Sequence, residues 1–418
     1  MNVEEPLRRN RPFQRLVSAA LASEFSSAMA SVVLPLLVLG AGETAGIAGV
    51  VTFITTAAAI VSQVFSGAIA DRMSGVRAFR LASLAQAACW LVLATLVALD
   101  PRPAWFVVAA IAAVAMGFSS LCYPSQESLV KRLVPEAQFG QAAAVSQGRE
   151  AAAGLLGGPA GGALFGVKAG LAILVQAALH AVAALIIPSP EPVEHHDLEP
   201  GAAKGGFFGD VADGFRVLAG NRHLRSITIV ASLMNLPMAS LPFVLIVYYQ
   251  SRGFSDALIG VMSSCIGVGV VAGALLAGNL TSHYSVGSLG VAALGSYVVA
   301  VGAITAVYSH FGWACACLVI SGFMLPAFNS AIGAYTIAVT PVERVGRVTA
   351  AIAVPGMMLM PLGPLLAGAL FDTVGSSATL LVVWILTLTP FLIAAFDPSF
   401  RKTPRLAELS DSPEADRS

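Results

Sequence analysis

Charge is scarce in this 418-residue chain. Only 11% of its residues are Asp, Glu, Lys or Arg, and 23 basic residues are balanced by 23 acidic ones. Proteins that hold nucleic acid through its phosphates carry a surplus of basic residues. We therefore expect no nucleic-acid partner.

Cysteine and catalytic patterns are also scarce. Free thiols in apolar surroundings behave as small hydrophobic side chains, so no disulfide framework is expected. The chain has no P-loop, metal-ligand spacing or nucleophile–base set, and the adjacent His195 and His196 in an acidic linker fix no coordination geometry. We expect neither an enzyme nor a cofactor or metal. The five cysteines lie in apolar stretches: Cys89, Cys122, Cys265, Cys315 and Cys317.

Apolar residues are abundant. They make up 57% of the chain, and the mean hydropathy is +0.81, well above soluble domains, of which roughly half is apolar. A helix needs about 20 mostly apolar residues to cross a membrane, and the sequence predicts an all-α membrane protein with twelve such segments. They lie near 15–40, 45–70, 78–99, 103–129, 139–165, 167–188, 224–250, 256–280, 285–308, 312–336, 345–370 and 376–396.

The longest polar interruption divides these segments into six and six. It predicts a first six-helix bundle over 1–188, a cytoplasmic linker over 189–223, a second bundle over 224–397 and a cytoplasmic tail over 398–418. Within the linker, the apolar spacing from residue 207 predicts a helix lying on the membrane interface.

Basic residues set the orientation, because Lys and Arg concentrate on the cytoplasmic side. On the side of the membrane opposite the termini, the connections contain only three basic residues, Arg102, Lys168 and Arg252. Arg149 lies inside the fifth segment. All other basic residues lie on the side of the termini. We expect a multi-pass protein of the inner (cytoplasmic) membrane with both termini in the cytoplasm.

The two halves resemble each other. "PEAQFGQAAA" at 135–144 recurs as "PVERVGRVTA" at 341–350, and "GALF" at 162–165 recurs at 368–371, both after 206 residues. The same offset at separated helices indicates that the two halves arose by duplication. It predicts two pseudo-symmetric helix bundles, as in many secondary transporters.

Four ionisable residues interrupt the apolar pattern in "SGAIADRMSGVRAFR", 66–80. With the twelve segments and the repeat, this loop resembles the G-x-x-x-D-R-x-G-R-R signature of the major facilitator superfamily. Gly67, Asp71 and Arg72 are in register, and Arg77 is a displaced basic position. The resemblance implies the major facilitator fold and transport of a small-molecule substrate by a monomer embedded in the lipid bilayer.

These charges also have a physical use. Gly67 permits close backbone approach, and Asp71 can meet the positive N-terminus of a helix in the other half, near Gly346. Such a contact would act as a latch between conformations. Alternatively, the charges only set orientation, which is the better interpretation for Arg80.

A second pattern, "GREAAAGLLGGPAGGALF" at 148–165, resembles the glycine-proline motif of exporters in this superfamily. Close helix packing without any bearing on direction explains the same residues. The flanking segments resemble macrolide-type multidrug efflux pumps and siderophore exporters, which implies an amphiphilic organic substrate. The matching residues are Gly154, Gly158, Pro159, Gly161 and Gly162.

Ionisable residues inside membrane segments are functional candidates, because each is costly there without a partner or water. We predict proton coupling through Glu24, Glu127, Arg149 and Glu150. Arg149 needs an acidic partner, either Glu127 or Glu24, and Glu150 points about 100° away from it. The alternative for Glu24 is an ion pair without any role in coupling, and the alternative for Glu127 is an interfacial residue near Lys131. His180 is better interpreted as a packing residue.

Polar side chains on helix faces are candidates for a substrate cavity, although ordinary hydrogen bonding between helices explains any one of them. They are Ser27, Ser31, Thr52, Thr56, Gln63, Asn235, Met238, Asn329 and Tyr335. The sequence thus predicts an exporter of small amphiphilic molecules that works by alternating access and proton antiport. A proton-coupled importer and a membrane receptor are the alternatives.

Overall fold

The computed structural model describes residues 6–188 and 207–405, without the side chains of residues 64, 67–72, 207–211 and 343. In these ranges the regular structure is entirely helical. Contacts divide the chain into a first unit, Met1–His196 with Leu245–Ser264, and a second unit, Asp197–Val244 with Cys265–Ser418.

Seven helices precede residue 188. They are α1 (Arg11–Gly40), α2 (Ala45–Arg72), α3 (Gly75–Leu99), α4 (Trp105–Ser119), α5 (Cys122–Leu133), α6 (Phe139–Val167) and α7 (Ala169–Ile186).

Nine helices lie between residues 207 and 405. They are α8 (Phe207–Gly220), α9 (Arg222–Ser251), α10 (Asp256–His283), α11 (Val286–Val307), α12 (Phe311–Phe323), α13 (Leu325–Val339), α14 (Val345–Leu359), α15 (Leu362–Phe396) and α16 (Pro398–Arg401).

Ten helical stretches in the described ranges are long and apolar enough to cross a membrane. One of them, Val345–Phe396, has 52 residues, enough for two crossings, and the helix is interrupted inside it at Gly375, where φ is 78°. The predicted fifth segment is also helical, as α6. The predicted all-α membrane fold of twelve segments fits this arrangement.

The internal repeat extends to the ends of the helices. A three-residue 3₁₀ turn, Glu136–Gln138, leads into α6, and a second, Val342–Arg344, leads into α14 at the same offset of 206 residues. An extended proline precedes each turn, Pro135 with ψ 145° and Pro341 with ψ 140°. The two halves therefore repeat in backbone conformation as well as in sequence.

The core of the first unit lies where α1, α3, α5 and α7 meet. Leu16, Phe79, Cys122 and Ala183 are among its buried side chains. At one end of this core, Arg80 donates hydrogen bonds to the carbonyls of Ala184 and Ile187 at the end of α7. A cation at a helix C-terminus satisfies carbonyls that the helix leaves open, so Arg80 caps α7.

In the second unit, α11 packs against α12, α13 and α15. The linker helix α8 packs against α14, and Gly214 lies so close to the backbone of Arg347 that a Cβ there would clash. Asp213 accepts a hydrogen bond from Arg347 Nη1 at 3.1 Å and has Arg344 Nε at 3.9 Å. A glycine contact and an acidic side chain thus hold the predicted interfacial helix on the start of α14.

The linker offers a direct test of orientation. Residue 200 lies outside the described ranges, and the distribution of Lys and Arg predicts that it is cytoplasmic. A reporter fused there should be active only if it is of the cytoplasmic kind, and a fusion after Arg102 should give the opposite result. Activity of an exported reporter at residue 200 would reverse the predicted topology.

Candidate functional site: a buried carboxylate and arginine cluster

Glycines on α6 bring this helix against α1. A Cβ at Gly161 would lie 3.1 Å from the carbonyl oxygen of Met29, and one at Gly157 would lie 2.5 Å from the Cβ of Ala28. Small residues allow membrane helices to approach to backbone distance. Glu24 lies one turn before Ala28 on α1, and Arg149 lies about two turns before Gly157 on α6. The close contact of the two helices therefore allows Arg149 to lie beside Glu24.

Arg149 and Glu24 form a two-pronged ion pair. Nε of Arg149 donates to Oε2 of Glu24 at 3.0 Å, and Nη2 donates to Oε1 at 2.7 Å. The Arg149 side chain is 6% exposed and that of Glu24 is 25% exposed. Bidentate pairs of this kind are the strongest that a guanidinium makes, and of the two predicted partners for Arg149, Glu24 is the one that bonds it.

Glu150 also reaches the guanidinium. Its Oε1 lies 3.8 Å from Arg149 Nη2, and its side chain is 50% exposed. The expectation that neighbouring positions on a helix keep the two groups apart was wrong for this pair, because the long Arg149 side chain brings its terminal nitrogen back toward Glu150. Two carboxylates therefore share one guanidinium.

The formal charge of this cluster determines what it can bind. With both carboxylates ionised, Glu24, Glu150 and Arg149 sum to one negative charge, so uptake of one proton makes the cluster neutral. An uncompensated charge is costly among apolar helices. A proton or a cationic group can supply the missing positive charge, and the partial exposure of both carboxylates leaves them accessible.

Polar residues behind Glu24 were not singled out by sequence reasoning. The Cys122 thiol lies beside the side chains of Ser23 and Gln86, with Gln86 Nε2 at 3.7 Å from Cys122 Sγ. Ser23 lies on α1 and Gln86 on α3, so only the packing of these helices against α5 reveals that the two residues meet.

The other predicted acid lies apart from the cluster. Glu127 is exposed on α5, and it has no ion-pair partner in the described part of the chain. The structure therefore does not bring Glu127 to Arg149.

The predicted cavity residues of the first half are partly exposed and bond to their own helices. Ser27 donates to Ser23 at 3.1 Å, Ser31 to Ala28 at 2.8 Å and Thr52 to Ala48 at 2.9 Å, each to a backbone carbonyl. Side chains satisfied in this way carry no unmet hydrogen bond. Thr56 is half-buried and Gln63 is exposed.

The predicted cavity residues of the second half have different environments. Asn235 bonds the Ala231 carbonyl at 2.9 Å and packs on Gly356, so it lies in a helix contact. Tyr335 is 2% exposed, with its ring 6.4 Å from that of His223. Asn329 is exposed and Met238 is half-buried.

The glycine-proline motif of α6 has two contact faces. Gly161 meets α1, whereas Gly158 and Gly162 meet the first turns of α10, within the first unit. A Cβ at Gly158 would lie 3.0 Å from Ser264 Oγ, and Gly162 is even closer to the Asp256 carbonyl. Gly154 has open space around it. Pro159 lies inside the helix between the close contacts.

The loop between α2 and α3 consists of two residues. Gly67, Asp71 and Arg72 belong to the end of α2, and their side chains lie outside the described set. Arg77 is exposed in the first turn of α3. The close approach predicted for Gly67 lies outside the described residues. Gly75 at the start of α3 does make such a contact, with Ser125 and Ser128 of α5.

Asp71 remains a predicted latch, and its charge can be tested. Asp71→Asn keeps the size but removes a charge worth about 0.3–1 kcal/mol at a helix N-terminus, and up to about 2 kcal/mol when partly buried. We expect normal insertion and slower transport. The matched control is Glu136→Gln, which neutralises an exposed acid in the 3₁₀ turn before α6. Transport by Asp71→Asn at the unmutated rate would leave Asp71 as an orientation signal only.

Comparisons with known proteins agree with this architecture. The sequence model of the Major Facilitator Superfamily matches residues 16–306 and 229–416. No curated protein sequence matches the chain.

Solved structures of similar fold include the nucleoside transporter NupG, at 12% identity and a TM-score of 0.70, with 93% of this chain and 99% of that chain covered. A bacterial homologue of the human lysosomal transporter Spinster matches at 14% identity and a TM-score of 0.69, with 95% and 99% covered. A bacterial homologue of the iron transporter ferroportin matches at 15% identity and a TM-score of 0.66, with 96% and 100% covered. At these identities the likeness concerns the fold alone.

Proposed function

Since the chain belongs to the major facilitator superfamily, we propose that it is a secondary active transporter that exports small amphiphilic organic molecules across the cytoplasmic membrane in exchange for protons. The transport cycle is alternating access, in which one substrate site opens to each side of the membrane in turn. The chain works as a monomer with its termini in the cytoplasm.

The ion cluster of Glu24, Arg149 and Glu150 carries this proposal. Arg149 is almost fully buried and is bonded by Glu24, which keeps part of its surface accessible. When Glu24 takes up a proton, the strongest bond to Arg149 weakens, and Glu150 at 3.8 Å is the remaining anionic partner. Protonation thereby changes which side chain Arg149 holds, and a local change of this kind can bias two conformations of a protein.

Competition for the cluster supplies the coupling. A cationic substrate and a proton each provide the one positive charge that the cluster lacks, so binding of one disfavours binding of the other. Exclusive occupancy of this kind couples the two species, because the site opens to each side of the membrane in turn while it holds one or the other. This argument favours substrates with a basic centre.

Export is favoured by sequence resemblance. The glycines of α6 match the exporter motif, and three of them, Gly158, Gly161 and Gly162, lie at backbone contacts. Close packing alone also explains those contacts, so direction needs its own experiment.

Vesicle transport tests the proposal. Inverted membrane vesicles containing the protein should accumulate cationic amphiphilic dyes when their interior is acidified, and an uncoupler should abolish the accumulation. Accumulation only in right-side-out vesicles would make the protein an importer. Binding of dye without flux in either orientation would favour a receptor.

A further inference from the structure

Buried polar atoms without partners are concentrated on one face of α3. Ser83, Gln86 and Trp90 are each 0% exposed, and their spacing of three and four residues places them on the same side of the helix. Ser83 Oγ, Gln86 Oε1 and Trp90 Nε1 have no hydrogen-bond partner in the described structure. Such atoms are rare in native proteins, since each one costs free energy.

A matching set lies on α7. Gln176 and His180 are 0% exposed, and they lie one turn apart on one helix face. Gln176 Oε1 and both ring nitrogens of His180 are unpartnered within the ranges that the structure covers. A histidine ring always carries at least one N–H donor, so His180 leaves a donor as well as an acceptor unsatisfied.

Contacts between the helices bring the two sets to the same level. Arg80 bonds the carbonyls of Ala184 and Ile187, whereas Gly170 lies beside the Ala94 carbonyl, so α3 and α7 run antiparallel. This register places His180 opposite Ser83 and Gln86, and it places Gln176 opposite Trp90. The unpartnered atoms therefore lie at matching levels of two packed helices, over about two helical turns.

Two further helices close this region. Ser26 of α1 donates to the Gln176 carbonyl at 3.4 Å. Cys122 of α5 lies beside Gln86 and Ser23, and Ser23 directly precedes Glu24. Four helices thus surround a polar region one residue away from the proposed proton carrier.

We propose that α1, α3, α5 and α7 enclose a site for bound water. A buried water typically makes about three hydrogen bonds to polar groups that would otherwise be unsatisfied. The six unpartnered atoms include both donors and acceptors, and they are enough to hold on the order of two or three waters. Water satisfies His180 Nδ1 and Nε2 together with the Gln86, Gln176 and Trp90 side chains.

We assign the water a role in proton exchange, and this role rests on the proposed function. The presence of water at the site is independent of that function. Water beside Ser23 gives the Glu24 region a hydrogen-bonded connection to the His180 ring, which in its neutral form offers one N–H donor and one acceptor nitrogen. The water test below uses no gradient and no substrate, so its failure is distinguishable from failure of antiport.

Radical footprinting tests the water site directly. A short X-ray pulse generates hydroxyl radicals from bound water, which oxidise neighbouring side chains even in a protein core. We expect labelling of Trp90, Cys122 and His180 in the intact protein. Met29, which is reactive and also 0% exposed but lies against the glycines of α6, should remain unlabelled.

Substitution gives an independent measurement. In a hydrated site, His180→Phe removes two of the atoms that hold water, so labelling of Trp90 and Cys122 should be lost and the melting temperature should fall. In a dry site the same change removes unsatisfied polar atoms and should raise the melting temperature. Tyr297→Phe, which deletes a single buried unpartnered hydroxyl in the second unit, is the comparison variant.

Three results would overturn the proposal. The first is the absence of labelling at all three side chains of the intact protein. The second is a His180→Phe variant that melts at a higher temperature than the unmutated protein. The third, which applies if His180→Phe does not fold, is a Gln86→Met variant that folds and melts at a higher temperature than the unmutated protein with unchanged labelling.

Discussion

Glu24→Gln should insert into the membrane normally and lose transport driven by a pH gradient. Glutamine resembles the protonated acid in size and hydrogen bonding, and its amide oxygen still accepts from Arg149. It cannot release a proton, so the site remains in a single charge state through the cycle. Neutral substrates should still bind, because the change leaves the surrounding helices intact.

The measurement is dye accumulation in inverted vesicles on an imposed pH gradient. Glu24→Gln should accumulate dye no faster than vesicles without a gradient. Glu127→Gln is the matched control, since it neutralises an exposed carboxylate that has no ion pair among the described residues, and it should transport normally. If Glu24→Gln transports at the unmutated rate, the proton carrier is elsewhere, and Glu150 becomes the next candidate.

Arg149→Met should be the most destabilising of the substitutions at this site. It leaves Glu24 facing a low-dielectric environment without its partner, and breaking a buried pair on one side costs about 3–5 kcal/mol. We expect the lower end of that range, because the Glu24 side chain is 25% exposed. The effect is measured as a change in melting temperature in detergent, with the remaining fraction of monodisperse protein as the readout.

A double substitution separates charge from packing. If the cost comes from the unpaired carboxylate, Glu24→Gln combined with Arg149→Met should recover most of the lost stability. Glu150→Gln combined with Arg149→Met should recover less, because Glu150 is half exposed and 3.8 Å from the guanidinium. Equal destabilisation in all three variants would show that Arg149 stabilises the protein through its packing.

Apolar segment lengths and the repeat predicted the fold well, because a bilayer restricts backbone to a few solutions. The offset found in "PEAQFGQAAA" and "PVERVGRVTA" reappears in the two 3₁₀ turns. The last boundary was predicted too. The sequence separates 345–370 from 376–396, and in the structure the apolar stretch Val345–Phe396 is interrupted at Gly375, where φ is 78°.

The site was predictable in its charges and less so in its geometry. Depth alone required an acidic partner for Arg149, and Glu24 was one of two candidates. The approach of Glu150 depends on side-chain flexibility, which helical angles do not describe. Gln86 and His180 were harder to identify, because burial without a partner can be recognised only once neighbouring helices are in place.

The contact between α6 and the first turns of α10 has a consequence for the entropy of packing. Gly158 and Gly162 face Gly260 there, backbone to backbone, and glycine has no side-chain torsion to immobilise. Contacts between longer side chains cost roughly 0.5–2 kcal/mol of rotamer entropy per residue each time they form. The glycine contact therefore holds α6 against α10 without that entropic cost.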